Sequence, residues 1–217
     1  MKFSLIYADP PWAERGGGQC NRGASRHYPL MPTTEIAALP VQAVAADDAL
    51  LLLWTTSNFL PGALDVVKAW GFRYVTQRIW IKVNAKGEPS TGLGQWLRLG
   101  HEHLLLCRRG DVPVPPPHLR APSVILAPRG RHSEKPTEVR SWAGSIAPAG
   151  PRLELFAREC VLGWTCLGNE IDGTDMGDSL RQLVAATEEY REAQPAPVSP
   201  ANEVEQGQAP LDWLAAF

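Results

Sequence analysis

Short, uninterrupted apolar blocks alternate along this chain with polar stretches rich in glycine and proline. Residues 3–8 (FSLIYA) read as a buried strand that stops at Asp9-Pro10-Pro11, because two prolines cannot continue a sheet ladder. Residues 13–32 carry Gly16, Gly17, Gly18 and Gly23 and few apolar side chains, the mark of a long loop. A short helix is predicted at 33–39 and a buried strand at 49–54 (ALLLLW). Leu60, Leu64, Val67 and Trp70 recur at helical spacing within 57–70, with Ser57 or Asn58 to cap the start and Gly71 to end it. Strands follow at 73–82 and 102–108, separated by a second loop over 85–100, and a short strand at 124–127 follows an irregular proline-rich stretch. A third loop contains Arg129, Arg131, His132 and Lys135. Pro136 suits the first turn of a helix over 136–147, and strands are expected at 152–157 and 164–168. Strands alternating with helices imply an α/β fold around a mostly parallel, doubly wound sheet.

Beyond Asp172 the pattern changes. An acidic helix is expected at 176–193, then a polar linker over 195–210 and an apolar terminal stretch, LDWLAAF. The chain therefore divides into a globular domain over 1–172 and an acidic, proline-containing tail over 173–217. That tail is a candidate to dock on the body, on a second copy in a homodimer, or on another partner.

Composition sharpens the division. Of 21 Lys and Arg residues only two lie in 170–217, whereas ten of the 23 Asp and Glu residues do. The net charge of −2 thus conceals +6 over residues 1–169 and −8 over residues 170–217, and a basic body fits a phosphate-bearing partner. Cys20, Cys107, Cys160 and Cys166 form no CxxC pair and read as reduced thiols. There is no signal-peptide pattern and no apolar run near the roughly 18 residues of a membrane span, so a cytoplasmic protein is expected.

The sharpest chemical signal is Asp9-Pro10-Pro11-Trp12, directly after an apolar strand. The lone pair of adenine N6 is delocalised into the ring, so the amine is a poor nucleophile. A site that accepts hydrogen bonds from both of its N–H groups frees that lone pair. Asp9 supplies a carboxylate, the Pro10 carbonyl a second acceptor held by Pro11, and Trp12 a ring to clamp an extruded base.

The ordered series IYADPPW, LLLLWTT, AWGFRY, IWIKVN, RHSEKP, ELFAR and GWTCLGNE resembles the DPPW-class adenine-N6 methyltransferases. This is the family of the catalytic subunit of the mRNA adenosine methyltransferase, with small bacterial and phage members. The resemblance covers residues 2–172 and implies a Rossmann-like class I methyltransferase sheet with permuted motif order, the catalytic tetrapeptide preceding the main cofactor strand. It implies S-adenosylmethionine as cofactor, contacted by Asp9, Lys135, Arg158, Asn169 and Glu170, with Lys135 near the methionine carboxylate and Arg158 and Asn169 near the ribose. It implies substrate contacts from Tyr28 and Glu102, and Arg129 and Arg131 are phosphate-contact candidates beside the cofactor loop. The chain departs from eukaryotic members after ELFAR, where Glu159-Cys160 replaces His-Asn. His101 and His103 flank Glu102 but lack a further ligand set, so no metal is expected.

The expected reaction is direct methylation of adenine N6 in a nucleic acid. DNA is preferred over RNA because no added RNA-binding module is visible. Loops 13–32 and 85–100 would supply a loose or short sequence preference. An RNA adenosine-N6 methyltransferase and a non-catalytic nucleic-acid-binding subunit are the alternatives.

Overall fold

A computed structural model describes residues 2–13, 30–92, 96–130 and 134–192. Its centre is a seven-stranded sheet in the order β5-β3-β4-β2-β1-β6-β7. The strands are β1 (Phe3–Ala8), β2 (Ala45–Thr55), β3 (Arg73–Val83), β4 (His101–Arg109), β5 (Val124–Pro128), β6 (Arg152–Leu155) and β7 (Thr165–Leu167). β1 lies between β2 and β6, parallel to both, and every one of its residues is buried. A strand covered on both faces needs apolar side chains at odd and even positions alike, which explains its unbroken run. β4 is antiparallel to both β2 and β3. All other strands point their carboxyl ends the same way, and β4 brings its amino end, His101 and Glu102, to that edge.

Helices cover both faces. α1 (Thr33–Ala38), α2 (Val41–Val44), α3 (Leu60–Ala69) and the long α6 (Met176–Glu192) pack on one side. α4 (Thr137–Ile146) packs on the other through Val139, Ala143 and Ile146. A one-turn helix, α5 (Asn169–Asp172), joins β7 to α6. β2 divides its side chains strictly, with Ala49, Leu51 and Leu53 in the first core and Leu50, Leu52 and Trp54 in the second. The two faces thus form separate cores on one sheet, a doubly wound, Rossmann-like α/β arrangement.

α3 ends as its sequence predicts. Gly71 is left-handed, its N–H reaches Lys68 O, and the Phe72 N–H reaches Val67 O, the paired bonds of a Schellman stop. Its start differs from expectation. Residues Ser57–Phe59 form a 3-10 turn, no side chain caps α3, and Pro61 occupies its first turn instead. The Ser57 hydroxyl is engaged elsewhere, 3.0 Å from His101 Nε2 and 3.1 Å from His103 Nε2. β2 begins earlier than its apolar block because Ala45 pairs with Phe3.

The division at 172–173 marks a change of composition and not of packing. Met176 and Leu180 of α6 are fully enclosed in the first core. The linker and the apolar LDWLAAF stretch, with the docking role expected for it, lie outside the described residues. No helix among the described residues is long and apolar enough to cross a membrane.

Gly168, between β7 and α5, makes the tightest backbone approach in the fold. A Cβ there would meet Ala157 O at 2.0 Å and Ala157 N at 2.8 Å. Gly168→Ala should therefore force the ends of β6 and β7 apart and lower stability by about 1–3 kcal/mol, as overpacking does. Urea unfolding checks this, and an unchanged midpoint would show that the contact relaxes freely.

Candidate active site

The chain leaves β1 at Asp9 and is fixed within three residues. The Trp12 N–H bonds Pro10 O at 2.9 Å, an i→i+2 turn, and Pro11 O accepts from the Met31 N–H at 2.8 Å. Pro10 O therefore has a set direction and one lone pair still to offer. Trp12 locks the segment to the sheet, its indole N–H donating to Trp54 O at 3.0 Å. Its ring stacks on Phe59, with centroids 5.8 Å apart and planes 18° from parallel. The residue is 8% exposed. The indole thus fastens the acceptor turn in place, with Phe59 on one face of its ring.

Beside Asp9 stands a ladder of alternating charge. Lys135 Nζ lies 2.5 Å from Asp9 Oδ2 and 3.4 Å from Glu102 Oε2. Glu102 in turn pairs with Lys82. The side chains of Lys135 and Glu102 are only 12% and 14% exposed. Two tryptophans floor the ladder, Trp54 under Lys135 at 5.6 Å and Trp80 under Lys82 at 4.9 Å. These rings meet edge to face at 6.0 Å. The Trp54 indole donates to the Tyr7 hydroxyl at 2.6 Å, and burial pushes the Tyr7 phenol up, out of the titrating range.

The ladder distributes protons unevenly. Burial works against ionisation of Glu102, but Lys135 and Lys82 outweigh it and hold the carboxyl below its usual range. Burial likewise disfavours charge on Lys135, yet Asp9 and Glu102 together raise it. Asp9 is the exception. Burial raises its pKa, Glu102 adds to the rise, and Lys135 only partly opposes it. Of the two carboxyl groups, Asp9 alone is pushed toward its protonated form.

Asp9 sits at one lip of a crevice. The connection from β1 to β2 runs over one face of the sheet, and the connection from β5 through α4 to β6 runs over the other. The β1–β6 boundary is thus the topological switch point, where ligands bind at the carboxyl ends of the strands. At the opposite lip β6 is followed by Phe156, the one described non-glycine residue with positive φ, at 62°. Holding a bulky side chain there costs about 1–2 kcal/mol and turns the chain toward Arg158. Arg158 Nε pairs with Glu170 Oε1 at 3.4 Å, and both are substantially exposed. Asn169 is exposed at the start of α5. A lysine, a guanidinium, an amide and a carboxylate around one crevice suit a ligand with a carboxylate at one end and hydroxyls at the other.

Other expected residues fall variously. Glu102 belongs to the ladder, and Arg129 is exposed just past β5. Tyr28 and Arg131 lie outside the described residues. His101 and His103 occupy the face of β4 opposite Glu102, where they share Ser57, and His103 Nδ1 lies 3.0 Å from Gln77 Oε1. Burial and the neighbouring His101 hold His103 below its usual pKa. Glu154, inside β6, pairs with Arg140 at 2.8 Å. Lys82 and Phe59 were not anticipated. Lys82 was legible only as one polar position in the strand IWIK, with nothing in the sequence to name its partner.

The MT-A70 family profile matches residues 3–170. The Type II methyltransferase M.MunI of Mycoplasma sp is 30% identical over 188 residues, covering 78% of this chain and 78% of that protein. The Drosophila melanogaster N(6)-adenosine-methyltransferase MT-A70-like protein is 33% identical over 184 residues, 82% of this chain but 28% of its own length. The human N(6)-adenosine-methyltransferase catalytic subunit METTL3 is 30% identical over 181 residues, 82% of this chain and 30% of its own length. This chain therefore spans less than a third of those two animal relatives. The matched segment runs from β1 through Glu170 and so takes in Asp9, the charge ladder and both lips of the crevice, and on that footing the chain belongs to the MT-A70 family.

Proposed function

We propose that this protein methylates the exocyclic N6 of adenine in DNA, using S-adenosylmethionine. The observation that carries the reading is the pairing of the Asp9 carboxylate with a directionally fixed Pro10 carbonyl at the switch point of the sheet. Two acceptors so close in sequence suit the two N–H groups of one amine. When both are engaged, the nitrogen lone pair is released from the ring and turned outward. The cofactor, when bound, supplies a methyl group on a sulfonium centre, an electrophile that needs no acid.

The residues of this chain do the rest. Lys135 would hold the methionine carboxylate, sharing itself between that group and its present partners. Arg158 and Asn169 would bond the ribose hydroxyls, with Glu170 orienting Arg158. Methylation makes N6 acidic, and Asp9, with its raised pKa, receives the proton. Glu102 and Lys82 keep Lys135 charged and in place. Arg129 would contact substrate phosphates.

DNA is favoured by the lengths matched. The Type II methyltransferase aligns over 78% of itself. The N6-methyladenosine RNA methyltransferase MTA1 of Cryphonectria parasitica aligns over 52%. The body's positive charge suits either nucleic acid, so the test carries both.

Labelled methyl transfer to unmethylated DNA and to RNA, followed by nucleoside analysis, should yield N6-methyladenine in DNA. Asp9→Ala should lower kcat about 100- to 1,000-fold, the usual effect of removing one key polar contact to the reacting group. Unaltered turnover in that variant would refute the role of Asp9. Lys135→Met should weaken S-adenosylmethionine binding about 10- to 100-fold, as loss of a charged hydrogen bond does, and calorimetry reads it directly. The pH profile follows from the sign of the Asp9 shift. Only ionised Asp9 accepts the amine proton, so activity falls as pH drops through its pKa. Because that pKa is raised, the acid limb should lie above the ordinary carboxylate value near 3.9; a limb at or below that value would contradict the assignment.

A further inference from the structure

Between β3 and β4 the chain makes an excursion that springs from the strand ends carrying Lys82 and Glu102. Its base is pinned by Lys82 N to Gly100 O at 2.8 Å, Ser90 N to Lys82 O at 2.7 Å and Gly92 N to Leu99 O at 2.7 Å. On it Trp96 is 95% exposed and Leu97 73% exposed. Two large apolar side chains so open to water mark a contact surface. Their surroundings are cationic. Arg98 Nε donates to Gly92 O at 3.4 Å, and Arg129 Nη2 lies 3.5 Å from where a Gly92 side chain would begin. Two guanidinium groups from different segments thus converge on the same short stretch of backbone beside the exposed pair.

Resting on the methyltransferase reading above, we propose that Trp96 and Leu97 form the wedge that enters a DNA duplex where the target adenine leaves it. A paired adenine cannot present N6 to Asp9 without being extruded, and extrusion leaves a gap in the stack. An aromatic or aliphatic side chain fills such a gap and recovers part of the lost stacking. Arg98 and Arg129 hold the phosphates on either side. A protein partner fits less well, because two apolar side chains fall far short of the roughly 1,000 Å² of a stable interface, and the guanidinium groups beside them favour phosphate. The first core and the charge ladder make no use of either side chain, so replacing Trp96 leaves the fold and the reacting groups intact.

The test compares full-length wild type, Trp96→Ala and Trp96→Phe on two duplexes carrying the mapped methylation site. In one the target adenine is paired, and in the other it faces an abasic position. Trp96→Ala should lose about 10- to 100-fold in kcat/KM on the paired duplex, matching the ~1–3 kcal/mol of one stacking contact. It should stay within about threefold of wild type on the abasic duplex, where extrusion needs little help. Trp96→Phe should recover most of the loss. With 2-aminopurine at the target, wild type should brighten on binding the paired duplex and Trp96→Ala should not. Equal losses on both duplexes, or none on either, overturn the wedge. So does a change of oligomeric state in Trp96→Ala, which would assign the pair to a protein contact, and so does a wild type active only on single strands. A wild type that methylates neither DNA nor RNA defeats the functional reading itself, and the wedge with it.

Discussion

Four charged side chains in a mostly enclosed row are stable in one order only. Asp9, Lys135, Glu102 and Lys82 alternate in sign, so each charge faces its opposite and the row sums to zero. Deleting an inner member of such a row strands a buried charge, a loss of about 3–5 kcal/mol for a buried pair. The geometry of the crevice depends on this row. It binds three parts of the chain far apart in sequence: the exit of β1, the facing strands β3 and β4, and the turn before α4. Glu102 and Lys135 are favoured in their charged forms by neighbours within the row, while burial outweighs Lys135 and Arg158 at Asp9 and raises its pKa.

A second constraint works through the backbone. The two prolines stop β1, and the bond from the Trp12 N–H to Pro10 O closes the turn they begin. Trp12 then anchors that turn to β2 through Trp54 O and to the start of α3 through Phe59. An acceptor carbonyl held this way needs little reorganisation when a substrate arrives, which is how preorganised dipoles lower barriers. The tryptophan of the tetrapeptide therefore keeps the proline carbonyl where it is.

Much of this was legible in the amino-acid sequence, and the exceptions have physical reasons. Buried parallel strands announce themselves as unbroken apolar runs, so FSLIYA and ALLLLW were readable. Asp9 was readable because a strand that ends in two prolines leaves its last polar residue at the sheet edge. The antiparallel direction of β4 was not, since HEHLLLCRR has the same pattern in either sense. Glu102 and Lys82 could not be paired without that direction. The ties of Trp12 to Trp54 O and Phe59 were not legible, because sequence does not reveal which side of a ring its neighbours occupy. Ser57 suits a helix cap by type, but His101 and His103 across the sheet claimed its hydroxyl. α6 looked like part of an acidic tail, although Met176 and Leu180, two positions among many charged ones, suffice to seat it on the core.

The antiparallel insertion of β4 separates what holds the charge row from what lies beyond it. Lys82 and Glu102 are fixed relative to one another by strand pairing, Trp80 opposite Glu102 and Ile81 opposite His101. The chain between them leaves and re-enters at that paired base. Its length and side chains can therefore change without moving the paired base, so the part of the chain that holds the charge row and the part that reaches away from it are mechanically separate.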